Sequence, residues 1–109
     1  MSNITRIRQM VDGNGNPILG LNFPGWIDHL VLVADTAQDY TIPTGARNIN
    51  IISTGDFWVR AEGAAAIPTG AVTNGSGSLL NPGIISVVGI TTLSFIAAAD
   101  CKIAIAVYN

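Results

Sequence analysis

The sequence predicts an all-β fold: a single-domain antiparallel β-sandwich, jelly-roll-like, with an extended N-terminal arm. Three observations carry that reading. No segment shows apolar residues recurring at helical spacing over more than a turn or two. Gly, Pro and Asn punctuate the chain every several residues. The runs between them are rich in Ile, Val, Thr and aromatics, the pattern of many short strands joined by turns. A length of 109 residues fits one domain with one modest core. The boundaries expected are an arm and turn over 1–16 and the sandwich over 17–109.

The elements follow in order. Ser2 to Met10 reads as the arm, and Asp12 to Pro17 as a turn, since Gly and Asn tolerate positive φ and Pro17 stops ladder pairing. Ile18 to Phe23 reads as a short strand closed by Pro24 and Gly25. His29 to Ala34 is apolar on both faces, with Val31 and Val33 on one and Leu30 and Leu32 on the other. That predicts a strand covered on both sides, by sheets or by subunits. Asp39 to Ile42 is a strand ended by the Pro43-Thr44-Gly45 turn.

Arg47 to Ser53 alternates, with Ile49 and Ile51 facing in and Asn48 and Asn50 facing out. Beyond the Ser53 to Asp56 turn, Phe57 and Val59 point to the core and Trp58 and Arg60 away from it. The two runs read as a hairpin. An outward Trp58 beside Arg60 is either a contact surface, both types being enriched at interface hot spots, or a ring packed under a neighbouring loop. Thr69 to Pro82 reads as a long surface loop. Ile84 to Val88 and Thr92 to Ala97 are strands. Lys102 to Tyr108 closes the chain with Ile103, Ile105 and Val107 on one face. Small Ala104 and Ala106 on the other face permit close approach of another layer.

Charged residues make up 11% of the chain, against about 25% in an ordinary domain. Hydrophobic residues make up 49%, the mean hydropathy is +0.45, and Gly63 to Ala99 carries no charge. A lone soluble domain ordinarily keeps its surface charged. A surface this poor in ions is expected to be buried on other chains. Assembly is therefore the leading expectation, and the chain is expected to be no enzyme.

A net charge of −2 with five scattered basic residues speaks against nucleic acid, which needs clustered cations. The apolar run from Ile84 to Ala99 is shorter than a membrane span and is broken by Ser86, Gly89, Thr91, Thr92 and Ser94, so no membrane partner is expected. The first residues lack an apolar signal core, so the product is expected to stay in the cytosol where it is made.

Chemical motifs fare poorly. Asp12, Asn14 and Asn16 resemble the start of a calcium loop, but Pro17 stands where Gly is needed and Phe23 where Glu is needed. The Gly13-Asn14-Gly15 and Gly75-Ser76-Gly77 segments lack the third glycine of a dinucleotide loop and the Lys of a phosphate loop. His29 is the sole histidine, no Ser lies in a nucleophile elbow, and nothing pairs His29 with Cys101. Of the carboxylates Asp28, Asp35, Asp39, Asp56, Glu62 and Asp100, most fall at strand ends or turns, where Asp is ordinary turn chemistry. One His and one distant Cys are too few for a metal site. Catalytic residues, cofactors and metals are all expected to be none, and Cys101 to be a buried structural thiol.

The run Tyr40-Thr-Ile-Pro-Thr-Gly-Ala-Arg47, leading into Ser53-Thr-Gly-Asp-Phe-Trp-Val59, resembles small virion proteins of tailed bacteriophages. Ala64-Ala-Ala-Ile-Pro68, Thr73-Asn-Gly-Ser-Gly-Ser-Leu-Leu-Asn-Pro82 and the Gly89 to Ala99 segment extend the likeness over roughly Gln38 to Tyr108. Where that pattern carries Asp in the Thr73 to Ser78 loop, this chain has Asn74, which removes a charge. The resemblance implies a capsid cement (decoration) protein on the virion surface, assembled in the host bacterial cytoplasm. It implies the major capsid protein and copies of itself, as a homotrimer, as partners. Expected contact residues are Ile4, Arg6, Ile7 and Arg8 on the arm and Trp58 and Arg60 on the sandwich. The alternative is a tail- or fibre-associated module binding a host glycan through Trp26, Tyr40 and Trp58.

Overall fold

A computed structural model describes residues 10–11, 17–18 and 23–109. Ten strands are placed among them: β1 (Met10–Val11), β2 (Pro17–Ile18), β3 (Ile27–Leu32), β4 (Gln38–Thr41) and β5 (Asn48–Ser53) come first. Then follow β6 (Trp58–Ala61), β7 (Leu79–Leu80), β8 (Ile84–Ser86), β9 (Thr92–Ile96) and β10 (Cys101–Tyr108). β1 and β2 pair antiparallel, Met10 opposite Ile18. The arm residues Ile4, Arg6, Ile7 and Arg8 lie outside the described residues, as does most of the strand expected over Ile18 to Phe23.

The other eight strands form two antiparallel four-stranded sheets, in the orders β3-β10-β5-β8 and β4-β9-β6-β7. The order has a simple logic. Fold the chain into one long hairpin with its tip between β6 and β7, and β3 faces β10, β4 faces β9, β5 faces β8, and β6 faces β7. Rolling that ribbon adds the β10–β5 and β9–β6 pairings and closes the two sheets. This is the jelly roll.

Alternation within each strand decides what is buried. Ile49 and Ile51 on β5, Val59 on β6, Leu93 and Phe95 on β9, and Ile103, Ile105 and Val107 on β10 meet between the sheets. Leu32, Tyr40, Phe57, Val87, Ala97 and Cys101 complete that cluster. The rings of Phe57 and Phe95 touch with centroids 5.9 Å apart. Cys101 is a buried free thiol.

Three sheet-crossing connections use one kind of turn. Thr36 N–H donates to Val33 O, Ala46 N–H to Pro43 O, and Ile90 N–H to Val87 O. The third residue of each has positive φ: Asp35 at 58°, Gly45 at 88° and Gly89 at 81°. Gly suits that conformation because it lacks the Cβ that makes it costly, and Asp is among the residues that tolerate it.

Three sequence expectations are corrected. β5 and β6 are not a hairpin, because they lie in different sheets. Thr54 continues the pairing of β5 with β10, its N–H donating to Lys102 O, while Lys102 N–H donates to Thr54 Oγ1. The chain then arches over the core edge at Gly55, where an added Cβ would sit 3.3 Å from Cys101 Cβ. The arch lets Phe57 and Val59 face Ile49 and Ile51 across the core instead of sharing their sheet. Second, the loop expected over Thr69 to Pro82 is interrupted by β7, whose Leu80 pairs with Trp58. Third, of the two covers expected for the strand at His29, sheets or subunits, a second sheet of this chain meets only one side: Leu32 is fully buried, whereas Val31 is 66% exposed and Val33 58%.

Candidate interaction surface

The outer faces of the two sheets differ. On the β4-β9-β6-β7 sheet, Ser94 alternates outward between Leu93 and Phe95, yet it is only 2% exposed. Its cover is the segment after β6, where Ala65 N–H donates to Ser94 Oγ at 2.9 Å. Ala65 itself is buried, and the Arg60 guanidinium packs against Gly63, where an added Cβ would come within 3.0 Å of it. Glu62, with φ of 56°, anchors this segment. Its Oε1 accepts from Thr91 N–H at 2.6 Å, the Thr91 hydroxyl at 2.9 Å and Thr92 N–H at 3.1 Å. The backbone N–H of Thr91, then that of Thr92, then the Thr91 hydroxyl hold the Glu62 carboxyl below its ordinary range. The chain thus covers part of this face with its own loop.

The outer face of the β3-β10-β5-β8 sheet carries no such loop among the described residues. Register places His29, Ala104 and Ile52 side by side across β3, β10 and β5. Val31 lies beside Lys102, and Ile27, Ala106, Asn50 and Ile84 make the next row. Ile27, Val31, Ile52 and Ile84 are all exposed. Because the central strand contributes alanines where its neighbours contribute larger side chains, the face is grooved. A cavity of about 410 Å³ runs over Ala104, lined by His29, Val31, Ile52, Thr54 and Lys102. The same alternation puts Tyr108 at the far end of the face, where it is buried, and burial pushes its phenol upward in pKa.

The residues singled out in the sequence fall in different places. Trp58 is half-buried on the outer face of the other sheet, in register with Leu80 and Ile96, and Arg60 lies against Gly63. Tyr40 points into the core and is 8% exposed, so it offers no ring for stacking on a sugar. Its hydroxyl donates to Asp28 Oδ2, which also accepts from Trp26 Nε1. Two further carboxylates fasten loops. Asp100 accepts from Ala34 N–H and Asp56 from Asn81 Nδ2. Among the described residues no three His, Cys, Asp or Glu side chains gather where they could hold a metal ion. The alanine face of β10 was visible in the sequence. Its flanking ridges were not, because they come from strands far away in the chain.

No family model, curated protein or solved structure matches this chain.

Proposed function

We propose that this chain is a non-enzymatic structural protein of a tailed-bacteriophage virion, a cement protein that binds the major capsid protein as a homotrimer and stabilises the shell. The observation that carries the reading is the ion-poor, grooved apolar outer face of the β3-β10-β5-β8 sheet, on a sandwich whose other face is partly covered by its own loop. A lone monomer gains nothing from such a face, whereas a protein seated where several subunits meet buries it. Each copy then engages several neighbours, so modest contacts suffice, since the later ones are effectively intramolecular.

The resemblance over Gln38 to Tyr108 points the same way. So does the frame, since jelly rolls recur in viral coats, although a fold alone assigns no function. Jelly rolls also serve lectins, which favours the tail- or fibre-associated glycan-binding reading to that extent. That reading is weakened by Tyr40 being buried and by the Trp26 indole N–H being committed to Asp28. Binding on a glycan array that is lost in Trp58→Ala would revive it.

Quantifying the protein in purified particles tests cementing. A fixed ratio to the major capsid protein, at many copies per particle, is expected; a few copies per particle reject it.

A further inference from the structure

We infer that the outer face of the β3-β10-β5-β8 sheet is the surface through which copies of this chain pack on one another. The inference deepens the self-assembly half of the reading above and rests on that half alone.

Its basis is shape, charge and area. In shape the face is self-complementary: Ile27, His29 and Val31 form one ridge, Ile52 and Ile84 another, and Ala104 and Ala106 the trough between them. A ridge of one copy fits the trough of the next, which is what contact between identical surfaces requires. Contact of this face with the same face of a second copy is two-fold, so it pairs copies and is a contact distinct from the one that would close a trimer.

In charge, Lys102 is the one charged side chain in the rows His29–Ala104–Ile52, Val31–Lys102 and Ile27–Ala106–Asn50–Ile84. Covering these rows therefore desolvates few ionic groups.

In area, four strands about 4.8 Å apart and six residues at about 3.4 Å give a face of roughly 19 by 20 Å. That is on the order of 400 Å², near half of the ~800 Å² per partner of a standard interface. The face by itself thus supports reversible, concentration-dependent association and not an obligate oligomer.

Sedimentation equilibrium of the full chain over a wide concentration range tests this. The wild type should associate reversibly. Ala104→Glu and Ile52→Asp, which leave the core untouched and should keep the wild-type circular dichroism, should weaken association roughly 100-fold or more, since an unpaired carboxylate in an apolar contact is strongly disfavoured. Val72→Asp, which charges an exposed apolar residue on the tip loop, should behave as the wild type. A wild type that stays monomeric throughout overturns the inference, the face then serving a different protein or none. So does unchanged association in folded Ala104→Glu and Ile52→Asp, or equal loss in Val72→Asp. The assay uses pure protein, so its failure leaves the virion-composition test of cementing standing.

Discussion

The Tyr40 hydroxyl on β4 donates to Asp28 Oδ2 on β3 at 2.5 Å, one side-chain bond joining the two sheets near the end of the sandwich. Trp26 Nε1 donates to the same oxygen at 2.8 Å. A carboxylate on the inward side of an edge strand is tolerated because two donors converge on it.

Tyr40→Phe removes one of those donors and leaves the ring in place. A hydrogen bond to a charged group contributes about 1.5–3 kcal/mol, so the variant should lose about that much stability. Urea unfolding monitored by circular dichroism reads it directly. An unchanged midpoint would show that the bond contributes nothing net.

Alkaline titration probes the same contact. Burial, then the hydrogen bond to Asp28, then its negative charge push the Tyr40 phenol well above its ordinary value of about 10. The folded state therefore holds the proton more tightly than the unfolded chain. The associated stability is fully present below about pH 10 and falls as pH rises beyond it. Tyr40 and Tyr108 are the two tyrosines of the chain, and both are shifted upward. Tyrosinate absorbance should lag behind that of free tyrosine and then appear together with unfolding. A simple titration near pH 10 in folded protein contradicts this.

Glu62 has the opposite sign. Its folded carboxyl titrates below the unfolded one, so its contribution is present above the ordinary carboxylate range and is lost as pH falls through the folded pKa. Glu62→Gln should lower Tm at neutral pH, and the gap to wild type should close in acid. A gap independent of pH would mean that the carboxylate charge is irrelevant to the fastening of Thr91 and Thr92.

Phe95 is fully buried and touches Phe57. Phe95→Ala should cost about 3–5 kcal/mol through lost burial and the cavity left behind. Against a total of about 5–15 kcal/mol for a small domain, that leaves the fold marginal. Ala104→Ser, on the outer face, should change stability by less than about 0.5 kcal/mol.

Much of the fold was legible because alternation is a local signal. Ile49 and Ile51, Phe57 and Val59, and Ile103, Ile105 and Val107 all face the core, as their spacing indicates. Sheet membership was not legible. Whether β6 pairs with β5 or crosses the sandwich depends on β9, more than thirty residues onward. Ser94 stood out only as a break in an apolar run, because a small polar residue in an apolar strand gives no sign that Ala65 will cap it. Val31 and Val33 left two covers open: a strand apolar on both faces reads as covered twice, by sheets or by subunits, and the second sheet of this chain covers only one side. The groove lay halfway between. Ala104 and Ala106 showed where another layer can approach, but its walls at Val31 and Ile52 exist only once the register is set.

A cryo-EM reconstruction of intact particles tests the central claim most directly. Density for the two four-stranded sheets should stand at the local three-fold positions of the capsid exterior, with the apolar faces turned toward neighbouring chains. A shell without that density, or the same sandwich present only on the tail, contradicts the account.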